Sequence, residues 1–214
     1  MGANEKIIIY QVFTRLFGNN NTRLKKNGSF DENGCGKMAD FTTKALTEIK
    51  NLGATHIWYT GVIEHASQNN YSRYGIRPDH PAVVKGKAGS PYAIRDYYDI
   101  DPDIANSIPD RMKEFENLVK RSHKAGLKVI IDFVPNHVAR DYGRSGMAGG
   151  HPVLGADDDR NVHWRPENDF FYYPGEKLVL PTECPEGIEP YVEFPAMATG
   201  NNCYSPYPGI NDWY

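Results

Sequence analysis

An α/β fold with a parallel sheet, of the (β/α) barrel kind, is predicted by this sequence, and three observations carry the prediction. Apolar strands alternate with amphipathic helices in the order β-α-β-α-β up to about residue 137. The helix-to-strand links are very short, whereas the long, polar, aromatic connections all follow strands, as in a TIM barrel whose βα loops share one rim. A doubly wound nucleotide binder would place a glycine-rich phosphate turn after its first strand, and "YQVFTRLFGNN" has none.

The first strand, "KIIIYQVF" (6–13), carries apolar residues on both faces, as a strand covered on each side does. A Gly/Asn-rich loop leads to "GKMADFTTKALTEIKNLG", where Met38, Phe41, Ala45, Leu46, Ile49 and Leu52 recur at spacings of three and four. That stripe predicts a helix with Gly53 as its C-terminal cap. "ATHIWYT" follows as the second strand, with Trp58 read as a core residue. After a long loop from Gly61 to about Ile108, "SIPDRMKEFENLVKRSHKAG" predicts the second helix. Ser107 is its expected cap, Pro109 and Asp110 suit its first turn, Met112, Phe115, Leu118 and Val119 form its stripe, and Gly126 ends it. "LKVIIDFV" is the third strand. Beyond His137 the periodicity is lost, Pro, Gly, Asp and Tyr dominate, and only "KLVLP" and "YVEFP" read as short strands.

Composition excludes several classes. The 214 residues carry a formal charge of −3, which offers nothing to nucleic acid or to an anionic membrane. No window reaches the length of a membrane span. The opening "MGANEKIIIY" lacks the regions of a signal peptide, and Lys6 breaks the myristoylation pattern. Cys35, Cys184 and Cys203 are far apart and make no CxxC pair, which argues against a zinc site or a full disulfide framework. Extracellular, periplasmic and cytoplasmic locations all stay open. No G-x-S-x-G elbow, HExxH or EF-hand loop occurs.

The chemistry gathers at residues 128–141, "KVIIDFVPNHVARD". A carboxylate, Asp132, interrupts an apolar strand whose C-terminal end is Pro135-Asn136-His137, where barrel active sites are built. The Asn carbonyl oxygen suits a hard cation or the fixing of a loop, and His offers a hydrogen-bonding donor for a sugar hydroxyl. On the residues alone, Asp132 is as well read as a satisfied buried carboxylate, and Tyr92 as packing among Tyr71, Tyr74, Tyr97 and Tyr98.

Asp-x-x-x-Asn-His after "HKAGLKVII" resembles the first signature region of the alpha-amylase family, glycoside hydrolase family 13. "IIIYQVFTRLF" resembles that family's first strand, "LTEIKNLGATHIWYTGVIE" is similar to its first helix and second strand, and "SPYAIRDYYDIDPDI" to its substrate-stacking tyrosine segment. Four segments in order cover most of residues 6–140. The resemblance implies that Tyr92 stacks on the sugar where the bond is cut and that His137 hydrogen-bonds a hydroxyl of the same sugar. It makes Asp96 a polar support of that rim and Asp132 a structural carboxylate beneath it. Asn136 occupies a position that is a calcium ligand in many members. Asp157-Asp158-Asp159 resembles part of a metal loop, but solvated turn residues are the preferred reading.

The resemblance also implies retaining chemistry on an α-glucan or malto-oligosaccharide, by hydrolysis or transfer, with one carboxylate as nucleophile and one as acid/base. In the family the nucleophile closes strand four in a G-x-R-x-D pattern and the acid follows on strand five; residues 139–214 hold neither pattern. The expectation is therefore that residues 1–138 are the first three βα units of a TIM (β/α)8 barrel, and that 139–214 are the irregular lobe inserted after strand three. The catalytic carboxylates are expected beyond Tyr214, so the chain alone is expected to be inactive. The alternatives are a transglycosylase of the same fold and a non-catalytic glucan-binding protein. The long "GVIEHASQNNYSRYGIRPDHPAVVKGKAGSP" before Tyr92 departs from the family pattern and leaves subsite geometry open.

Overall fold

The computed structural model describes residues 6–143, 151, 153–180, 184 and 186–200. Their regular elements are β1 (Ile9–Phe13), α1 (Phe30–Asn33), α2 (Thr43–Asn51), β2 (His56–Thr60), β3 (Ile63–His65), β4 (Ile94–Ile100), α3 (Arg111–Lys124), β5 (Lys128–Ile131), β6 (Phe171–Tyr173) and β7 (Ala196–Ala198). Two compact units result: Met1–Glu64 with Tyr98–Phe133, and His65–Tyr97 with Val134–Tyr214.

The first unit contains a three-stranded parallel sheet in the order β1-β2-β5. Gln11 sits opposite Trp58, and Trp58 opposite Ile130. This is the β-α-β-α-β order read from the sequence, as a parallel sheet that does not close into a barrel among the described residues. Its core is Phe41, Leu46, Ile57, Tyr59 and Leu118, all with 0% exposure. Phe41 stacks on Phe17 at 4.2 Å and meets Tyr59 edge-on at 4.9 Å. Ser122 Oγ donates to the Leu118 carbonyl, so the Tyr59 hydroxyl must donate to Ser122 Oγ, 2.7 Å away. Burial pushes the Tyr59 phenol up to about 12, which keeps it a donor.

The helices depart from the expected ranges for local reasons. Residues 38–40 form a 3-10 turn and α2 starts only at Thr43, because the Thr42 hydroxyl caps it by accepting from Ala45 N at 3.2 Å. Met38 and Phe41 are buried as expected, but Leu52, past the last turn, is 72% exposed. The second helix is likewise split: Ile108–Asp110 is a 3-10 turn and α3 begins at Arg111 with Asp110 as its cap residue. Ser107 therefore does not cap α3; its hydroxyl donates to Asp110 Oδ2 at 2.7 Å. The buried face of α3 centres on Leu118 and Ser122, so Met112 lies off it. Gly53 and Gly126 end the helices with φ of 89° and 78°, the left-handed backbone that favours glycine.

β3 and β4 form a two-stranded sheet, and the division between the units runs through both strands. In the second unit β6 and β7 pair antiparallel, with Tyr172 opposite Met197. The expected strands at 177–181 and 191–195 do not form among the described residues. Leu178 N still reaches Glu193 O at 3.0 Å and Ala196 N reaches Glu176 O at 2.9 Å, while Pro195 between them has no N–H to donate. Asp158 organises the turn before β6, accepting from Asp169 N at 2.8 Å, Phe170 N at 3.1 Å and the Tyr172 hydroxyl at 2.9 Å. Cys35 and Cys184 are free thiols; Cys203 lies outside the described residues.

Candidate functional site

The Asn136–His137 segment belongs to the second unit and is held from three directions within it. Tyr97, near the end of that unit's share of β4, donates its hydroxyl to the Val134 carbonyl and, at 3.4 Å, to the His137 carbonyl. Burial raises the Tyr97 phenol above its ordinary range, so it stays protonated and able to donate. On the N-terminal part of β4, Ile94 O accepts from Ala139 N at 2.7 Å and Arg95 O from Gly143 N at 2.9 Å. From the β7 side, Thr199 O accepts from Val138 N at 2.9 Å. A Cβ on Gly200 would sit 2.5 Å from the His137 Cβ, so the backbone of residue 200 closes tightly over the histidine.

Within this frame the imidazole has a defined tautomer. His137 Nδ1 lies 2.6 Å from Asn136 Oδ1. An amide oxygen only accepts, so Nδ1 carries the proton and the neutral ring presents Nε2 as an acceptor. A sugar hydroxyl meeting His137 would donate to it; His137 turns donor at Nε2 only as the imidazolium. The sequence expectation has the histidine as the donor; with this tautomer the neutral ring accepts at Nε2 instead.

Asp96 is 2% exposed and lies between Arg95 and Tyr97, both of which bond the 134–143 segment through their carbonyl or hydroxyl. Arg95 itself is fixed by a buried ion pair to Asp79 at 3.0 Å, and Asp79 Oδ2 also accepts from Ser67 N at 2.9 Å. Burial outweighs Arg95 and carries the Asp79 carboxyl up to about 6. Tyr92 stands just before β4, 43% exposed, a ring accessible for stacking rather than part of the core.

Asp132 belongs to the first unit. It follows β5 immediately instead of lying within it, because the strand ends at Ile131. Ile130 is opposite Trp58, and two residues further on the Asp132 carboxylate accepts from Trp58 Nε1 at 2.5 Å. Trp58 is thus half-buried and a hydrogen-bond donor, not simply a core residue. Asp132 Oδ2 is buried without a hydrogen-bond partner among the described residues.

Calcium at Asn136 would need a free Oδ1 and further oxygen ligands around it. Oδ1 already takes the His137 proton, and no trio of His, Cys, Asp or Glu side chains close enough to share an ion gathers at residues 128–141 among the described residues. Asp158 and Asp159 are occupied in their own turn, Asp159 Oδ1 accepting from Asn161 N at 3.0 Å. The described residues do not complete a calcium site there.

Three contributors gave no sequence signal: Tyr97, read only as one tyrosine among several; Gly200; and Arg140. The Arg140 guanidinium donates to Glu193 Oε1 at 3.0 Å and to the Met197 carbonyl, tying the segment after His137 to a partner 53 residues away.

The comparison with known sequences decides what this arrangement belongs to. The family profile described as "Alpha amylase, catalytic domain" matches residues 11–185. The chain belongs to the alpha-amylase family. Among its relatives, trehalose-6-phosphate hydrolase of Bacillus subtilis (strain 168) is 28% identical over 138 residues, 64% of this chain and 18% of that protein. Alpha-amylase 2 of Dictyoglomus thermophilum is 25% identical over 136 residues, 64% of this chain and 19% of that protein. The amino acid transporter heavy chain SLC3A1 of Mus musculus is 30% identical over 131 residues, 61% of this chain and 14% of that protein. The crystal structure of an alpha-amylase from Lactobacillus plantarum is similar with a TM-score of 0.42 at 29% identity, covering 64% of this chain and 24% of the other. This alpha-amylase family chain thus spans about a fifth of the length of the first two curated relatives, 18% and 19%.

Proposed function

We propose that this chain supplies the sugar-binding rim of a retaining glycoside hydrolase acting on α-glucans. The single observation that carries the reading is the Asn136–His137 pair: an imidazole with one fixed tautomer, at the end of the third parallel strand's extension, in an alpha-amylase family sequence. In this reading Tyr92 stacks on the apolar face of a glucosyl ring and His137 Nε2 accepts a hydroxyl proton from it. Asp96 holds the backbone beneath, Asp132 is a structural carboxylate of the first unit, and residues 139–214 are the lobe inserted between the third and fourth strands. The nucleophile and the acid/base belong to other residues of the polypeptide that carries this segment, since none is assigned within it. Calcium enters only at Asn136, whose ligand set the described residues leave incomplete, so no step is routed through it.

The same binding residues serve a transglycosylase, in which a sugar hydroxyl replaces water as acceptor. A cyclomaltodextrin glucanotransferase of Bacillus sp. (strain 38-2) is 28% identical over 141 residues, which keeps that second reading beside the first.

In the complete protein, His137→Ala is expected to lower α-glucan turnover at least about tenfold, the effect of losing one polar contact to the bound sugar. Initial rates on soluble starch, for variant and parent at matched stability, provide the check. Unchanged rates would remove His137 from the site.

A further inference from the structure

We propose that Trp164, backed by Phe171, is a second contact point for the α-glucan, a stacking platform for a pyranose ring separate from the Asn136–His137 segment. The proposal rests on the α-glucan reading above. Trp164 is 49% exposed, and a lone exposed aromatic needs no explanation. This one differs because its ring is built into place. The indole stacks on Phe171 with centroids 5.9 Å apart and planes 22° from parallel. Phe171 lies on β6 and pairs with Ala198 of β7, so the support is a strand rather than a loop. His163, the preceding residue, rests on Phe171 at 5.6 Å and on Tyr173 at 5.0 Å, and its Nδ1 donates to the Tyr172 carbonyl at 2.8 Å.

The next residue, Arg165, sits in a charge-balanced polar network. The Arg165 guanidinium is flanked by Asp159 at 3.4 Å and Glu167 at 3.3 Å. Asp159 is anchored in turn by Asn161 N at 3.0 Å and by the bond from its own N–H to Asn168 Oδ1, also 3.0 Å. A pyranose offers the complement of the indole, an apolar C–H face. Two carboxylates around one guanidinium leave no surplus positive charge, which disfavours a phosphate or carboxylate ligand and favours a neutral polyhydroxylated one.

Native gel electrophoresis through immobilised soluble starch tests this on the protein itself, with Trp164→Ala, Trp164→Phe and His137→Ala run beside the parent. The expected result is that Trp164→Ala weakens retention about fivefold, Trp164→Phe keeps most of it, and His137→Ala keeps the part that Trp164 supplies. Retention of Trp164→Ala equal to the parent's, with loss in His137→Ala, would overturn the platform and leave the α-glucan reading standing. No retention of the parent would overturn both. The phenylalanine variant keeps an aromatic plane at the same position, so its retention ties any loss in Trp164→Ala to the ring.

Discussion

Arg140→Ala is expected to destabilise the second unit by about 3–5 kcal/mol, the cost of leaving a buried charge without its partner. The Arg140 and Glu193 side chains are only 6% and 11% exposed, so water replaces little of what the substitution removes. Glu193 is a hub: besides Arg140, its Oε1 accepts from Met197 N at 2.8 Å and its Oε2 from the Tyr191 hydroxyl at 3.1 Å. Without the guanidinium its negative charge stays buried on two neutral donors. The Met197 carbonyl also loses its donor, directly before the Ala198–Gly200 backbone that closes on His137. Amide hydrogen exchange resolved by mass spectrometry should show residues 171–173 and 196–198 losing protection while the β1-β2-β5 sheet keeps its own. Uniform loss across both units, or none, would contradict a local role. Because both charges are buried, removing the pair together with apolar residues of like volume should cost less than the single change.

Phe41→Ala is expected to cost the first unit a similar about 3–5 kcal/mol. The ring is fully buried between Phe17 and Tyr59, so its removal forfeits the transfer free energy of a whole side chain and leaves a cavity walled by two aromatics. The backbone there cannot easily collapse to fill it. Arg121 clamps the Met38 carbonyl at 2.8 Å and the Phe41 carbonyl at 3.3 Å, and Thr42 next door is committed to capping α2. Urea denaturation followed by circular dichroism measures the loss, and Phe41→Leu should recover much of it. A change below about 1 kcal/mol for Phe41→Ala would show that the site relaxes and that this cluster is not the core of the unit.

These two residues also mark what was legible in the sequence. Phe41 was readable because helical periodicity placed it on a stripe with Met38, Leu46 and Ile49, and burial follows periodicity even though the helix itself breaks at Phe41–Thr42. The three parallel strands were readable as short apolar runs set between helices and loops. Their ends were not: Asp132 looks like a strand residue, yet pairing stops at Ile131, and its partner Trp58 is set by register across the sheet. Arg140, Glu193, Tyr97 and Gly200 were invisible because their roles arise from contacts between distant segments, which leave no local pattern. The Asn136–His137 motif named the family, but the direction of the His137 proton came from the 2.6 Å contact to Asn136. Beyond His137 the expected strands at 177–181 and 191–195 do not form among the described residues, where Pro195 lacks the N–H a ladder would use.

In the proposed function His137 meets a glucosyl hydroxyl as an acceptor through Nε2. Nitrogen-15 NMR of the labelled histidines during titration with maltoheptaose tests it most directly, since the two ring nitrogens report protonation separately. The predicted result is a neutral, Nδ1-protonated His137 whose Nε2 resonance shifts on saturation with the sugar, and no such shift when Asn136 is replaced by alanine and the tautomer is released. An Nε2-protonated ring, or a His137 spectrum unmoved by sugar while other histidines or tryptophans respond, would contradict the claim and move the binding site elsewhere on the chain.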